Sequence, residues 1–367
     1  MGEIRVEFAA RKEEMTRVNG SAAVERIESL PAPPSISSKM TGMILCGGKG
    51  RGLRPLTKDF PKVLLEFQDE YCALTKQLLD FKYCGIKEVV LLIGYYGREI
   101  KRACGKEFKG LNISYVDSKK GTLDAIREGL ATIDEGDVII RNGDVITDVN
   151  LKTMMESSFE PITIFVTPMQ SPYGIVELGD TKILSFREKP TLGHFINGGT
   201  YLVKEHAFDL FEGYPSGDVE RNVFPSLARE GKLGFYKEDR IFWRSLDTAK
   251  DWDAIKREYS NRVDKPWGFE KTLVSTEKYL TKELYIKGGY QTSYHHHTKK
   301  DETLSIDRGY GYVYFREGES QSFSAGDTLR VRPFTNHSIV ATENTSITEV
   351  STPHPKDTVR VKDFYDR

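Results

Sequence analysis

Apolar residues follow two alternating patterns over the first two thirds of the chain. Continuous apolar runs occur at MILCGG (43–48), KEVVLLIGY (87–95) and DVIIRNGD (137–144), as is typical of strands buried on both faces. Helical spacing of apolar residues recurs in three other segments: 71–85, 121–132 and 248–259. The alternation predicts a mostly parallel sheet covered by helices, with ligands bound at the carboxyl ends of the strands.

The pattern changes after Lys265 to short alternating runs separated by Gly, Asn, Asp and Pro. It predicts an all-β module of about 100 residues, a closed barrel or jelly roll. The other end of the chain differs again, because 3–18 reads as a charged helix and the Pro- and Ser-rich stretch 30–42 as a linker. We therefore expect an extension and linker, a first domain and a β domain, with these bounds: 1–39, 40–262 and 263–367.

The composition of the chain argues against two classes of binding partner, nucleic acids and membranes. The 367 residues include 53 Lys+Arg against 54 Asp+Glu, which argues against a nucleic-acid surface made by bulk charge. Apolar runs last only a few residues, so we expect no membrane partner. The four cysteines have irregular spacing and no CxxC pair, which indicates free thiols in a reducing, cytoplasmic compartment.

A glycine-rich loop follows the first predicted strand. Its glycines, Gly47, Gly48 and Gly50, would let the backbone approach a polyphosphate, or would only make a tight turn. Arg51, Arg54 and Lys62 add positive charge nearby. The spacing matches neither the dinucleotide fingerprint nor the P-loop.

Seven segments in order resemble the sugar-1-phosphate nucleotidyltransferases. They are GGKGRGLRPLT (47–57), Pro61-Lys62, Asn142-Gly143-Asp144, Tyr173-Gly174, Glu188-Lys189-Pro190, INGGTY (196–201), and Trp243 with Asp247. The resemblance implies a Rossmann-like, GT-A-like mixed sheet in an α/β domain. It also implies transfer of a nucleotidyl group from a nucleoside triphosphate to a sugar 1-phosphate in nucleotide-sugar and polysaccharide biosynthesis.

The resemblance also implies residue roles. The catalytic set is Arg51, Lys62, Asp144, Lys189 and Asp247, in which Lys62 faces the α-phosphate and Lys189 the sugar phosphate. The nucleotide-binding set is Leu45, Gly47, Gly48, Gly50, Arg54, Gly121, Thr122, Asn142 and Gly143. The sugar-binding set is Tyr173, Gly174, Glu188, Asn197 and Gly198. Asp144 and Asp247 would hold Mg²⁺, which prefers carboxylate, phosphate and water oxygens.

Several points stay open in the sequence. The family's loop arginine falls on Gly52, so either Arg51 or Arg54 supplies that charge. Asp247 is a metal ligand or the N-cap of the helix after it, and Glu220 contacts the sugar or only marks a helix start. INGGTY most resembles the guanylyltransferases that act on manno-heptose 1-phosphate or mannose 1-phosphate, which implies GTP with a mannose- or heptose-type acceptor. The alternatives are a cytidylyl- or uridylyltransferase for another phosphorylated acceptor and a non-catalytic sugar-nucleotide-binding regulator.

A histidine cluster lies in the predicted β domain. His295, His297, Glu302 and His337 have the spacing of a ligand set for Zn²⁺, Fe²⁺ or Mn²⁺, while exposed histidines on a polar strand are the alternative. This pattern resembles the cupins, and KPWG (265–268) with the final 19 residues is similar to the C-terminal cupin of type II mannose-6-phosphate isomerases. The resemblance implies a cupin barrel. Two roles for this barrel stay open: a sugar-phosphate isomerase, or a module for binding and for forming a homodimer.

Overall fold

The computed structural model describes residues 39–315 and 319–365. The predictions for 1–38, a charged helix and the start of the linker, lie outside the described residues. The predicted linker reaches too far, because Met40–Gly42 already pair with strands on both sides. A β-carbon on Gly42 would lie 2.7 Å from the Phe81 ring, so the strand is packed from its first residues.

An eight-stranded mixed sheet forms the first domain, and its order is β13-β9-β12-β7-β1-β4-β6-β5. The strands of this domain are β1 Met40–Leu45, β2 Glu66–Gln68, β3 Tyr71–Cys72, β4 Glu88–Ile93, β5 Glu107–Phe108, β6 Leu111–Asp117, β7 Asp137–Asn142, β8 Val145–Thr147, β9 Ile162–Gln170, β10 Ile175–Leu178, β11 Ile183–Arg187, β12 Thr191–Val203, β13 Leu233–Lys237 and β14 Trp243–Ser245. The centre is parallel, as predicted, but β12 runs antiparallel between β7 and β9. The architecture is the Rossmann-like mixed sheet.

Helices cover both faces of this sheet. They are α1 Ala73–Tyr83, α2 Gly97–Cys104, α3 Thr122–Leu130, α4 Leu151–Ser157, α5 Val219–Asn222, α6 Phe224–Arg229 and α7 Ala249–Tyr259. α1 packs Leu74, Leu78 and Phe81 into the core on one face, while α3 packs Leu123 and Ile126 into the core on the other. Within the described residues, no helix has the length and hydropathy that crossing a membrane requires.

A two-stranded ribbon stands apart from the main sheet. β8 pairs antiparallel with β14, so that Ser245 lies opposite Val145 and Trp243 opposite Thr147. Asp144 immediately precedes β8, and Asp247 follows β14 by two residues. The ribbon therefore carries both predicted magnesium ligands at the same end.

Residues 262–365 form a β-rich region, called here the C-terminal β domain. Its strands are β15 Arg262–Lys265, β16 Gly268–Ser275, β17 Leu280–Ile286, β18 Tyr294–His296, β19 Glu302–Arg308, β20 Tyr310–Tyr314, β21 Ser320–Ser324, β22 Thr328–Val331, β23 Ser338–Ala341, β24 Thr345–Ser351 and β25 Val359–Lys362. They make antiparallel sheets of six, three and two strands. Every second residue of β24 is buried, as expected of a strand with one face on a core.

Candidate functional site

Two aspartates from distant parts of the chain meet at one lysine. The Lys62 ammonium donates to the Asp144 carboxylate and, over 3.4 Å, to Asp247 Oδ1. Burial alone would lower the pKa of Lys62, but the two carboxylates outweigh it and raise the pKa. The pair of carboxylate oxygens at one point fits the donor set of a hard divalent cation such as Mg²⁺.

Asp247 is not the N-cap of the following helix. Thr248 is the N-cap of α7, and its side chain forms a reciprocal capping box with Asp251. The Asp247 carboxylate accepts from the Ser245 hydroxyl at 2.6 Å. The capping alternative is therefore wrong, and this carboxylate remains directed toward Lys62.

The turn before Asp144 is fastened to the glycine loop and to α1. Gly143 N donates to Leu45 O at 3.0 Å, and a β-carbon on Gly143 would lie 2.5 Å from that oxygen. Gln77 of α1 donates from Nε2 to both Asn142 O and Val145 O at 2.9 Å. Gln77 was missed at the sequence level because a buried glutamine on an amphipathic helix carries no motif.

The backbone of Asp247 leaves no room for a side chain at position 52, where the family has an arginine and this chain has Gly52. A β-carbon there would lie 2.3 Å from Asp247 O, closer than any unstrained contact. The glycine loop therefore touches the backbone of Asp247 directly. Gly50 adopts a left-handed conformation (φ +60°), and the Thr57 hydroxyl donates to its carbonyl at 2.5 Å.

Arg51 belongs to a cationic group on the exposed side of the loop. Lys49 Nζ lies 4.2 Å from the centre of the Tyr95 ring. The hydrogen bond with Lys49, followed by the charges of Lys49, Arg51 and Lys119, lowers the pKa of Tyr95. Arg54 is also exposed. The pattern of the sequence did not indicate Tyr95 or Lys119 as site residues, because Tyr95 ends an apolar run typical of a strand and Lys119 lies in a loop without a motif.

The predicted sugar and nucleotide residues are connected through Glu220. Its carboxylate accepts from the Tyr201 hydroxyl at 3.3 Å and from the Thr122 hydroxyl at 3.4 Å. Asn197 Nδ2 donates to the Tyr201 hydroxyl at 2.9 Å. Burial raises the pKa of Tyr201, with the charge of Glu220 acting in the same direction. Tyr201, part of INGGTY, was not singled out in the sequence.

β12 also contacts the ribbon, and the glycine before α3 contacts a separate loop. Trp243 Nε1 donates to Gly198 O at 3.0 Å, which joins the INGGTY segment to β14. Gly121 precedes α3 with φ +151°, and a β-carbon there would lie 2.5 Å from Gly217 O. Gly121 therefore brings the start of α3 against the loop that leads to Glu220.

The remaining sugar-binding predictions lie on an exposed hairpin made by β10 and β11. A β-carbon on Gly174 would lie 3.1 Å from Glu188 Oε2, so the YG and EKP segments are neighbours. Lys189 pairs with Glu188 at 3.2 Å, and more than half of each side chain is exposed. Tyr173 is 75% exposed. In the part of the chain that the structure describes, this hairpin makes no ion pair with Asp144 or Asp247.

The family model for nucleotidyl transferases matches residues 41–261. The chain belongs to this family. Mannose-1-phosphate guanyltransferase of Yarrowia lipolytica is 31% identical over 258 residues, which cover 66% of this chain and 70% of that protein. Mannose-1-phosphate guanylyltransferase 1 of Arabidopsis thaliana is 31% identical over 249 residues, which cover 62% of this chain and 66% of that protein. The chain thus spans about two thirds of the length of these relatives.

A solved structure agrees with the nucleotidyltransferase fold. A protein assigned as a glucose-1-phosphate thymidylyltransferase from Bacillus anthracis superposes with a TM-score of 0.50 at 20% sequence identity. The match covers 62% of this chain and 98% of that one. At this identity the likeness concerns the fold alone. The C-terminal β domain lies beyond the residues matched by the family model.

Three histidines of the C-terminal β domain converge, as the sequence predicts. One ligand atom from each of His295, His297 and His337 lies within 4.8 Å of the others. Reciprocal backbone hydrogen bonds of 3.0 and 2.8 Å join His295 to His337 and hold the two rings side by side. The cluster lines a cavity of about 310 Å³ inside the domain.

The hydrogen bonds of these rings select one tautomer. Each Nδ1 atom faces a backbone carbonyl: His295 at 2.7 Å, His297 at 2.5 Å and His337 at 3.1 Å. With the proton on Nδ1, the Nε2 atoms of His295 and His297 present their lone pairs, which is the form that binds metals, whereas the Nε2 of His337 faces Glu302. The buried Nε2 of His297 has no hydrogen-bond partner. The donor set therefore fits a divalent transition metal.

Glu302 adds a carboxylate to the cluster, and this carboxylate also forms an ion pair with Lys300. Glu302 Oε1 lies 3.0 Å from His337 Nε2, so a proton or another cation must lie between these two acceptors. Lys300 Nζ contacts Glu302 at 2.6 Å and Glu349 at 2.9 Å. Burial would raise the pKa of Glu302, but the His337 hydrogen bond and the Lys300 charge hold it well below the usual range.

Lys300 and Glu349 were missed in the sequence. The segment TKKD (298–301) reads as a turn, yet Lys300 is 5% exposed and Glu349 is 3% exposed. Asp357 holds the segment in place by accepting from the backbone of Lys299 and Lys300 at 2.5 and 2.8 Å. These contacts direct the Lys300 side chain into the cavity beside the histidines.

Proposed function

We propose that the first domain transfers a nucleotidyl group from a nucleoside triphosphate, GTP in preference, to a mannose- or heptose-type sugar 1-phosphate. An oxygen of the sugar phosphate attacks the α-phosphorus of the triphosphate. A new P–O bond forms, the bond to the bridging oxygen breaks, and pyrophosphate leaves. The reaction requires positioning and charge neutralisation rather than a covalent nucleophile.

The convergence of Asp144, Asp247 and Lys62 supports this proposal most. Asp144 and Asp247 come from separate segments, yet both contact one ammonium beside the glycine loop. Mg²⁺, when held by these carboxylates, would neutralise charge on the phosphate oxygens. Lys62 would direct its positive charge at the α-phosphate. The hydrogen bonds of Glu220 with Thr122 and Tyr201 would hold the predicted nucleotide-binding and sugar-binding residues in fixed positions relative to each other.

The preference for GTP and a mannose-type acceptor rests on similarity. The relatives from Yarrowia lipolytica and Arabidopsis thaliana are both named as acting on mannose 1-phosphate with a guanylyl donor. The base-reading stretch of the family, often GTGGA or GTAGA, corresponds to GTLDA (121–125) in this chain, where Asp124 stands in place of a glycine. Asp124 accepts from the Ser216 hydroxyl at 3.0 Å and from Gly217 N at 3.2 Å. Asp124 therefore holds a neighbouring loop, and its presence does not argue against a purine.

Pyrophosphate release tests the proposal directly. The full chain is incubated with Mg²⁺, each of the four nucleoside triphosphates and a panel of sugar 1-phosphates. We expect the largest kcat/KM for GTP with mannose 1-phosphate or a heptose 1-phosphate. A larger value for CTP or UTP would contradict the base preference. Tight binding of a nucleotide sugar without any turnover would favour the regulator instead.

We also propose that the C-terminal β domain binds one divalent transition metal, Zn²⁺, Fe²⁺ or Mn²⁺, through His295, His297 and His337 with Glu302. One ring nitrogen from each histidine, all within 4.8 Å of one another, and the carboxylate beside them support the site. Metal analysis of the purified full chain, before and after addition of each ion, tests it. If the chain stays free of metal after each ion is supplied, the proposal is wrong, and the histidines are only polar residues in the wall of the cavity.

The second role that we propose for this cavity is isomerisation of a sugar phosphate, and Glu349 favours it. An aldose–ketose isomerase needs a base for the proton next to the carbonyl, and Glu349 is a buried carboxylate in the cavity wall. Mannose 6-phosphate in D₂O should then exchange its C2 proton, and Glu349→Gln should stop the exchange. Absence of exchange in metal-loaded protein would leave a binding or dimer-forming module.

A further inference from the structure

The ribbon that carries Asp144 and Asp247 has a second end, and that end lies against the C-terminal β domain. Leu246 N donates to Asp144 O at 2.8 Å at the first end, and Asp148 N donates to Phe242 O at 3.0 Å at the second. β8 is only three residues long. Only this short stretch of extended chain thus separates residues 148–150 from Asp144.

Three consecutive residues at the second end, Asp148, Val149 and Asn150, are bound by the C-terminal β domain; we call them the clamped segment. Arg262 donates to both carboxylate oxygens of Asp148, at 2.9 and 2.5 Å. Lys287 Nζ donates to Val149 O at 3.3 Å. Asn150 Nδ2 donates to Gly288 O at 2.9 Å. Each residue of the segment thus has its own partner across the boundary.

These contacts are buried and mutually supported. Asp148, Asn150 and Arg262 are each at most 2% exposed, so their hydrogen bonds do not compete with bulk water. Asn344 accepts from Gly288 N at 2.8 Å and donates to Glu238, and Glu238 accepts from Asn150 N at 2.9 Å. A bidentate arginine–carboxylate pair fixes orientation as well as distance.

The same contacts reach the metal-binding turn through α1. Asp80 lies 3.8 Å from Lys287 Nζ and accepts from Arg141 at 2.9 Å. Arg141 adjoins Asn142, and Gln77, one turn before Asp80 on α1, donates to the carbonyls on both sides of the turn. The C-terminal β domain therefore supports Asp144 from β8 and from α1.

We propose that the C-terminal β domain positions the metal-binding carboxylates of the transferase site by holding the clamped segment. The proposal rests on the proposed function of the first domain. Lys287 and Asn344 act as positioning residues, because neither contacts Lys62, Asp144 or Asp247. The β domain is then required for full transfer whatever its own cavity binds.

The test uses the full chain with Lys287→Met and Asn344→Ala. Asp80 keeps Lys76 and Arg141 when Lys287 is replaced, so the fold should survive. We expect kcat to fall about tenfold and the Mg²⁺ concentration for half-maximal rate to rise severalfold, because sub-ångström displacement of reacting groups is costly. The KM values for GTP and the sugar 1-phosphate should stay within about twofold of wild type, since the substrate contacts are untouched.

Lys282→Met is the matched control. Lys282 pairs with Glu270 at 3.2 Å on the same strand that leads to Lys287, and its side chain is 12% exposed against 11% for Lys287. It does not touch the clamped segment. We expect its kcat and its magnesium dependence to equal those of wild type, which separates loss of the clamp from loss of a buried charge in the β domain.

Hydrogen exchange tests whether the C-terminal β domain holds the clamped segment, and it does so without measuring turnover. In Lys287→Met and in Asn344→Ala, backbone amides of 144–150 should exchange faster than in wild type and in Lys282→Met. Unchanged exchange in both variants would overturn the proposal, and so would faster exchange with an unchanged kcat. A wild-type chain that transfers nothing would refute the proposed function, while the exchange data would still show whether the β domain holds the segment.

Discussion

Replacing Gly52 by alanine should disable transfer by displacing Asp247, although Gly52 itself carries no functional group. The added β-carbon would lie 2.3 Å from Asp247 O, whereas ordinary contacts begin at 3.4 Å. The obstacle is a backbone atom, which cannot rotate away as a side chain can. The glycine loop and Asp247 must therefore separate by about 1 Å, the shortfall between those two distances.

The magnitude follows from the role proposed for Asp247. A misplacement of about 1 Å at reacting groups costs on the order of 10²-fold in rate. That factor corresponds to about 2.7 kcal/mol in the activation free energy. We expect kcat/KM for pyrophosphate release to fall by this factor at saturating Mg²⁺. The thermal unfolding midpoint should fall only slightly, because the loop is exposed on its other side and can shift.

Gly193→Ala is the matched control, since a β-carbon on Gly193 would meet no atom within 4 Å. It should retain wild-type kcat/KM. Gly52→Arg restores the residue type found at this position in the family and should be no more active than Gly52→Ala. Activity of Gly52→Ala within about threefold of wild type, or a gain in Gly52→Arg, would refute the reasoning that Gly52 permits the approach to Asp247.

Four further outcomes are expected. Asp144→Asn should abolish transfer with little loss of fold, because the carboxylate acts mainly on the transition state; turnover within about threefold of wild type at saturating Mg²⁺ would contradict the assignment. Arg51→Ala should cost at least ~2 kcal/mol in kcat/KM, and an effect of Arg54→Ala with a silent Arg51→Ala would identify Arg54 as the residue that supplies the loop charge. The double variant His295→Ala with His297→Ala should lose the transition metal, measured by metal analysis, while transfer stays intact. Because burial lowers the pKa of His295 and of His297, protons should displace that metal only below the usual histidine range near ~6.5, and release at pH 7 would contradict this.

The central sheet could be predicted because its strands carry strong signals. β4 and β7 are continuous apolar runs between helices with clear periodicity, and the structure has them parallel to β1. The insertion of β12 antiparallel to its neighbours could not be predicted, because parallel and antiparallel buried strands have the same pattern. β8 and β14 have three residues each, too few for any period to show.

Some residues of the candidate sites could likewise be predicted from the sequence, and others could not. Asp144 and Asp247 could be proposed from the sequence because both lie in segments that resemble the nucleotidyltransferases, and Asp144 also follows a continuous apolar strand. Gln77, Lys300 and Glu349 could not, because buried polar residues look like surface residues until their partners are known. Arg262 is 1% exposed, yet in the sequence it lies in a run of charged residues that reads as a domain boundary.

Both candidate sites share one electrostatic arrangement. Lys62 lies between Asp144 and Asp247, and Lys300 lies between Glu302 and Glu349. Without a cation between them, two carboxylates this close would repel each other. The adjacent carboxylates raise the pKa of each lysine against the effect of burial, so the ammonium stays charged. Each pair of carboxylates is consequently held beside a positive charge before any ligand arrives, an arrangement that suits binding of a divalent cation or a phosphate.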